Sequence, residues 1–425
     1  MASHIFTGFG FGPIQGGLFV KEAFQSGNFA RVVVAEIDRE LVDAVRANGG
    51  SYHVNVAKAD GIEVLRVDNV ELLNPNIPGD KEALLKVLAQ STEISTCLPS
   101  VDFYASAGPC SAASLIAGGL KNSRSLATIV YTAENNNRAA EILQKAVVEK
   151  GGVFSPQRVQ FLNTVIGKMS RVVSDAGEIR ERNLTSIAPG IRRGFLVEQF
   201  NRILVSRTRI SNFKPGIDVF IEKDDLLPFE EAKLYGHNAI HALLGFIGAL
   251  RGCTWMTEVG QDEAIMQIGR DAFLQESGAA LIKKYSHLRD ELFSEGGYRE
   301  FAEDLLQRMT NPYLADTVAR VCRDVVRKLG PDERIFGTMR LALEHGIEPK
   351  NMALGAAAGI AVLSERADEY HLPKELHVGN WRELDRAGVE EILSWAWSHQ
   401  TRRYAGRLIN SVVTATKRLA SLISG

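Results

Sequence analysis

Lys233, Asn238 and His241 fall within twelve consecutive residues, Glu230-Glu231-Ala232-Lys233-Leu234-Tyr235-Gly236-His237-Asn238-Ala239-Ile240-His241. On an α-helix, positions 233, 237 and 241 are successive i, i+4 neighbours, and Asn238 lies three residues before His241. At about 100° per residue, Lys233, Asn238 and His241 share an arc of roughly 140°. One face then carries a proton acceptor, an amide donor and an imidazole. Oxidation of an alcohol to a ketone needs a base for the hydroxyl proton and donors for the developing oxyanion. The competing reading makes Lys233 and His237 solvated surface residues and His241 a satisfied core histidine.

A lysine serves as a base near neutrality only if burial or a nearby cation lowers its pKa from about 10.4. His237 or a dry cleft is the expected cause, while Glu230 or Glu231 would act the other way. The four cysteines, Cys97, Cys110, Cys253 and Cys322, are scattered and form no C-x-x-C pair. That pattern points away from a zinc site or a disulfide scaffold, so no metal is expected.

A second feature with chemistry in it stands at the start of the chain, in Gly8-Phe9-Gly10-Phe11-Gly12-Pro13-Ile14-Gln15-Gly16-Gly17. Glycines let a backbone turn sharply and approach a pyrophosphate, which then sits on the N–H groups opening the next helix. Gly10 and Gly12 match the dinucleotide fingerprint; Gln15 stands where its third glycine would be, and Gly16 or Gly17 is expected to supply the close helix–strand packing. Glu36 follows a second apolar strand roughly 20 residues on, where an acid holds the ribose hydroxyls, with Asp38 as the competing candidate. A carboxylate there repels a 2′-phosphate, so NAD is expected over NADP.

The elements around these residues follow from pattern. Strands are expected at His4–Phe9, Arg31–Glu36, Glu93–Leu98, Leu126–Thr132 and Arg158–Asn163, alternating with helices at Gly16–Gln25, Arg39–Ala47, Lys81–Leu88, Ser111–Leu120 and 137–149. Tyr52–Ala57 and Ile62–Val70 read as an extended insertion, and Ser174–Arg193 as a loop. Alternation of this kind gives a parallel sheet. From about Pro228 the pattern is helical: Phe229–Leu250, Asp262–Tyr285, Gly296–Met309, Asp316–Leu329, Asp332–His345, Asn351–Ser364 and Val389–Trp397. The expected fold is α/β plus α, a Rossmann-type parallel-sheet domain over residues 1–225 and an all-helical domain over 226–425. At 425 residues, two domains are also what length suggests.

Hydrophobic content of 45% and charged content of 24% are ordinary for a soluble globular chain, and a formal net charge of −2 gives no general reason to expect a nucleic-acid partner. The longest apolar run, Ala239–Leu250, is too short to span a bilayer, and the amino terminus lacks a leader pattern. A cytoplasmic protein without a membrane partner is expected.

Four segments together resemble the polyol-specific long-chain dehydrogenases. Gly10-x-Gly12 with Ala35-Glu36-Ile37-Asp38 looks like that family's cofactor turn and acid. Ala133-Glu134-Asn135 looks like its C-E-N segment, with alanine for cysteine. Lys233-x4-Asn238-x2-His241 looks like its catalytic helix. The run from Asn311-Pro312-Tyr313-Leu314 through Arg320, Arg323, Arg327-Lys328 and Arg334 to Lys350-Asn351 looks like the branch that uses polyol phosphates. Gly167-Lys168 departs from the family, which has an acid–arginine pair there.

The resemblance implies NAD as cofactor, contacted by Gly10, Gly12, Pro13, Ile14, Gln15, Glu36 and Asn135. It implies Lys233 as general base in oxidation and acid in reduction, Asn135 and Asn238 as oxyanion donors, and His241 on a neighbouring substrate hydroxyl. The implied reaction interconverts a polyol phosphate and a ketose phosphate, mannitol 1-phosphate and fructose 6-phosphate. Arg320, Arg323 and Arg327, spaced to share a helical face, would clamp the phosphate together with Lys328. The same cluster also reads as a solvated face paired with Asp316 and Asp324. The alternatives are a dehydrogenase of an unphosphorylated polyol or sugar acid, of the mannitol 2-dehydrogenase or fructuronate/altronate reductase type, and a non-catalytic NAD(H)-binding protein.

Overall fold

The computed structural model describes residues 4–106, 108–123, 125–399 and 403–424. The chain divides into two compact units, Met1–Leu227 and Pro228–Gly425.

The first unit is built on twelve strands: β1 (His4–Phe9), β2 (Phe29–Ala35), β3 (Tyr52–Ala57), β4 (Ile62–Val67), β5 (Val70–Leu73), β6 (Glu93–Thr96), β7 (Thr128–Thr132), β8 (Val159–Ile166), β9 (Ser170–Val173), β10 (Gly194–Glu198), β11 (Ile203–Ser206) and β12 (Phe220–Lys223). Eight of them form one sheet in the order β12-β11-β8-β7-β6-β1-β2-β5. From β5 to β8 every pair is parallel, while β11 runs antiparallel to β8 and carries β12 with it. The central strands are buried on both faces, which is why they read as continuous apolar runs rather than alternating ones. Helices Pro78–Leu88, Ala112–Lys121 and Ala139–Glu149 cover one face through Leu84, Val87, Leu88, Ile116, Leu143 and Val147.

The segment expected as a small insertion is half of a second sheet. β3 and β4 join β9 and β10 in the order β4-β3-β10-β9, two pieces of chain more than a hundred residues apart. The supposed loop from Ser174 contains a helix, Ala176–Glu181. No local pattern announces this sheet, because its central pair, β3 and β10, is parallel and long-range.

The helix after β1 starts at Pro13 and opens into a wide π turn over Gln15–Val20. Gly16 and Gly17 do provide a close approach, but to the small sheet: a Cβ on Gly16 would lie 2.7 Å from the Phe195 ring and one on Gly17 2.5 Å from Val197. Gln15 lies buried over β1, its amide bonded to Ser95 Oγ at 2.8 Å. The room it occupies is left by Gly8, whose Cβ would stand 1.8 Å from the Gln15 amide nitrogen. The small residue at this crossing has moved from the helix to the strand.

The second unit is helical. Its central helix, Ala239–Leu250, is buried nearly all round, packing on Lys350–Glu365 and Val318–Cys322, which explains its apolar composition on every side. The single helix expected over Asp316–Leu329 is broken into Val318–Cys322 and Val325–Lys328. Asp324 between them takes φ +56°, a left-handed conformation that ends the first piece. A twenty-residue helix, Ala405–Ser424, closes the chain and was not expected from the sequence.

Gly8→Ala is expected to destabilise the first unit by about 1–3 kcal/mol through overpacking. Adding Gln15→Ala should restore most of that loss in urea unfolding. Strictly additive losses would show that the two positions do not share this space.

Candidate active site

The segment carrying Lys233 is a π turn, Ala232–Asn238, that runs directly into Ala239–Leu250. In an α-helix the fifth residue on lies about 140° round the axis; in a turn closed i→i+5 it returns close to the start. Lys233 and Asn238 are therefore brought nearer to one line than the α-helical reading allows. His237, the i+4 neighbour of Lys233, is buried and not a solvated surface residue.

A wide turn loosens the backbone ladder, and the freed carbonyl is claimed by side chains. Ala239 N–H, which in a regular α-helix would serve Tyr235 O, bonds Gly236 O instead. Ser277 Oγ donates to Tyr235 O at 2.8 Å and stands 3.2 Å from Tyr298 Oη. Tyr298 O–H donating to Ser277, and Ser277 to Tyr235 O, satisfies all three groups with the two hydroxyl protons. Thr338 Oγ1 is 3.1 Å from Tyr235 O but 2.5 Å from Arg334 O, so its single proton belongs to Arg334 O. Ser277 itself lies on another π turn, Ala272–Gly278. The two turns meet where Gly236 has no side chain, since a Cβ there would lie 2.9 Å from both the Phe273 ring and Tyr298 Oη.

Burial pushes the Lys233 pKa down to about 8, and the Arg334 guanidinium pushes the same way against Glu230. Although the residue as a whole is only half-buried, the shift follows its charged end. His237 is not the main cause: burial drives its own pKa well below the usual histidine value, leaving the ring neutral. Glu231 is committed elsewhere, accepting from Lys284 at 2.7 Å and Tyr285 Oη at 2.7 Å, so of the two acids Glu230 alone opposes the shift. The Asn238 side-chain amide has no hydrogen-bond partner among the described residues.

His241 has a partner that the sequence did not single out. Its Nε2 stands 3.1 Å from Asp316 Oδ2, an ion-pair distance without the alignment of a hydrogen bond. Asp316 is buried at 2% exposure. Desolvation alone would raise its pKa, but Arg320 and His241 beside it outweigh this and hold the carboxyl well below its usual range. Arg320 grips it with both Nε and Nη2 at 2.5 Å. An imidazole so placed has one edge on a carboxylate and the other free to meet a hydroxyl.

The same contacts dismantle the expected phosphate clamp. Because the helix breaks at Arg323-Asp324, residues 320, 323 and 327 do not share a helical face. Arg320 is spent on Asp316. Arg327 pairs with Glu333 at 3.3 Å and Asp324 at 3.6 Å, and Lys328 is buried with Nζ on Val321 O at 2.6 Å. Arg323 alone is exposed without a side-chain partner among the described residues.

In the first unit the two glycines of the turn have different surroundings. Gly10 takes φ +80°, and a Cβ there would meet Cys97 O at 2.9 Å; a Cβ on Gly12 would meet no atom within 4 Å. The first position therefore needs glycine for the fold, whereas the second leaves the backbone bare for a ligand. Pro13 and Ile14 open the helix behind it, and Gln15 is turned inward. Glu36 follows β2 and accepts from Phe11 N–H at 2.6 Å and Asp38 N–H at 2.8 Å, tying the acid to the turn. Asp38 caps the helix Arg39–Ala47.

Asn135 is exposed beyond the carboxyl end of β7. Asparagine is a favoured helix cap, but Asn135 does not take that position: the helix begins at Ala139, and Asn163 Oδ1 accepts from Ala140 N–H at 2.8 Å. Its neighbour Glu134 is buried, accepting from Leu98 N–H at 2.8 Å, Thr96 Oγ1 at 2.9 Å and Tyr104 Oη. Among the described residues no group of three His, Cys, Asp or Glu side chains is placed to hold a metal ion, and no helix is long and apolar enough to cross a membrane.

Ser277→Ala should cost about 1–3 kcal/mol in thermal or urea unfolding by leaving Tyr235 O without its donor. Thr338→Val should cost less. Equal losses would show that both hydroxyls serve that carbonyl.

Residues 225–390 match the sequence profile of the Mannitol dehydrogenase C-terminal domain. A D-sorbitol dehydrogenase in substrate-free form superposes with a TM-score of 0.77 at 16% identity, covering 98% of this chain and 93% of that one. Mannitol 2-dehydrogenase from Pseudomonas fluorescens, solved as a ternary complex with NAD and D-mannitol, gives a TM-score of 0.68 at 16% identity over 100% of this chain and 94% of that one. Residues 225–390 are thus similar to the mannitol dehydrogenase C-terminal domain, on a chain whose fold resembles that of these two dehydrogenases.

Proposed function

We propose that this chain is an NAD-dependent oxidoreductase that interconverts a polyol and its ketose. The observation that carries the reading is Lys233, a lysine with its pKa lowered to about 8 by burial, one wide turn before an asparagine amide that no described side chain uses. The name of the profile matched by residues 225–390 supports it. So do the names of the two solved structures. NAD, when bound at the glycine turn, supplies the hydride acceptor. Neutral Lys233 takes the hydroxyl proton of the reacting carbon and returns it in the reverse direction. The Asn238 amide donates to the oxygen as charge develops there, and Asn135 is assigned as a further donor. His241, held at one edge by Asp316, holds a neighbouring hydroxyl.

On the substrate, the loss of the shared arginine face favours an unphosphorylated polyol, which is also what the two structural neighbours are named for. The phosphate ester pair, mannitol 1-phosphate and fructose 6-phosphate, is the second reading, favoured by the uncommitted Arg323. NADH consumption measured in parallel with fructose and fructose 6-phosphate separates the two. Turnover with the free ketose supports the first reading; turnover with the ester alone establishes the second. Absence of turnover with a wider ketose panel, despite NADH binding, would leave a non-catalytic NAD(H)-binding protein.

Lys233→Ala is expected to lower kcat by about 10²–10⁴-fold while leaving NADH affinity intact. Oxidation requires the neutral amine, so its kcat should rise with pH through about 8 and level off; reduction requires the ammonium and should fall over the same interval. A profile unchanged by Lys233→Ala would remove this residue from proton transfer.

A further inference from the structure

Two acids stand at the end of β2, and they are held differently. Both oxygens of Glu36 are turned inward, onto Phe11 N–H and Asp38 N–H. Asp38 accepts Leu41 N–H at 3.2 Å as a helix cap, and its second oxygen accepts from Arg193 Nη2. Arg193 is not part of the parallel sheet. It directly precedes β10, and its own carbonyl accepts from Ile187 N–H at 3.0 Å, so the small sheet delivers it from a fixed loop. Among the described residues its guanidinium bonds only Asp38, and its side chain is 32% exposed. A guanidinium has five N–H donors, so most of its hydrogen-bonding capacity remains open. The other cation at this edge, Arg39, is 80% exposed and only 3.5 Å from Asp43, an i, i+4 surface pair.

We infer that Arg193, held by Asp38, decides which adenine dinucleotide this strand edge accepts. The inference rests on the reading of the glycine turn as an NAD site. An acid at this position receives the ribose hydroxyls, and a nearby arginine is what accommodates a 2′-phosphate. Guanidinium and phosphate match bidentately. With the pair intact, the arginine's charge is cancelled by Asp38, Glu36 is left as the net charge beside the ribose, and the edge selects NADH. Released from Asp38, the same guanidinium meets a 2′-phosphate without any movement of the sheet that carries it. The selectivity is thus set by a latch between the two sheets, and Glu36 alone does not determine it.

The test is the dissociation constant of NADH and of NADPH, read by fluorescence titration, for the wild type, Asp38→Asn, Arg193→Ala and the double variant. Asparagine keeps the helix cap, so Asp38→Asn removes the charge and little else. NADPH affinity should rise about tenfold in Asp38→Asn, with NADH affinity changing far less, and the gain should vanish in the double variant. Equal NADPH affinity in Asp38→Asn and the double variant overturns the inference while leaving the NAD reading in place. Should Asp38→Asn lose both nucleotides through misfolding, Arg193→Ala alone decides: the preference for NADH must sharpen, and an unchanged ratio overturns the proposal. A wild type that binds neither nucleotide overturns the NAD reading itself.

Discussion

Two widened helical turns in this molecule each present a carbonyl that accepts a side-chain hydroxyl from another element. A missing donor for such a group costs about 1–3 kcal/mol, a sizeable share of a domain's net stability. In the first unit the widened turn Gln15–Val20 includes Gly16, whose carbonyl accepts Tyr52 Oη at 2.6 Å. In the second, the widened turn Ala232–Asn238 includes Tyr235, whose carbonyl accepts Ser277 Oγ. Each donor comes from a different element: β3 of the small sheet in one case, a facing helix in the other. The hydroxyl that satisfies the turn therefore also fixes what lies across from it. Glycine recurs at both turns because the partner must come close.

Widening a helix by one residue changes what faces what. Around Lys233 it brings the amide five positions on toward the same line, and His237 beside it is buried. Burial then acts on the two titratable groups in one direction, lowering both, but to different ends. His237 is pushed well below the usual histidine range, whereas Lys233 stops near 8, within reach of both protonation states at neutral pH. Asp316 shows the opposite balance. It too is buried, yet Arg320 and His241 beside it outweigh desolvation, so it stays charged and can hold an imidazole.

Much of the architecture was legible in the sequence, and what was missed has physical causes. The parallel strands were visible as apolar runs because both of their faces are covered. The glycine turn was visible because the left-handed backbone at Gly10 and its close approach to Cys97 O admit no side chain. The small sheet was not, since its strands pair across more than a hundred residues and nothing local records that pairing. The wide turns were hidden because periodicity assumes 3.6 residues per turn. Asp316 passed as a surface partner of Arg320: the i, i+4 spacing predicted the pair correctly, but spacing carries no information about burial.

That pair also shows why residue type alone does not assign a basic cluster. An arginine can hold a carboxylate or a phosphate with the same fork of donors, and the choice depends on which anion the fold places first. Here Asp316 sits under His241 at 2% exposure, and a carboxylate buried so deeply without a cation would be protonated or destabilising. Arg320 is the cation that keeps it charged, and so maintains the contact with His241. Freeing Arg320 for a substrate phosphate would remove the charge that orients the imidazole. The two roles are mutually exclusive at this residue, and the chain has committed Arg320 to orienting His241.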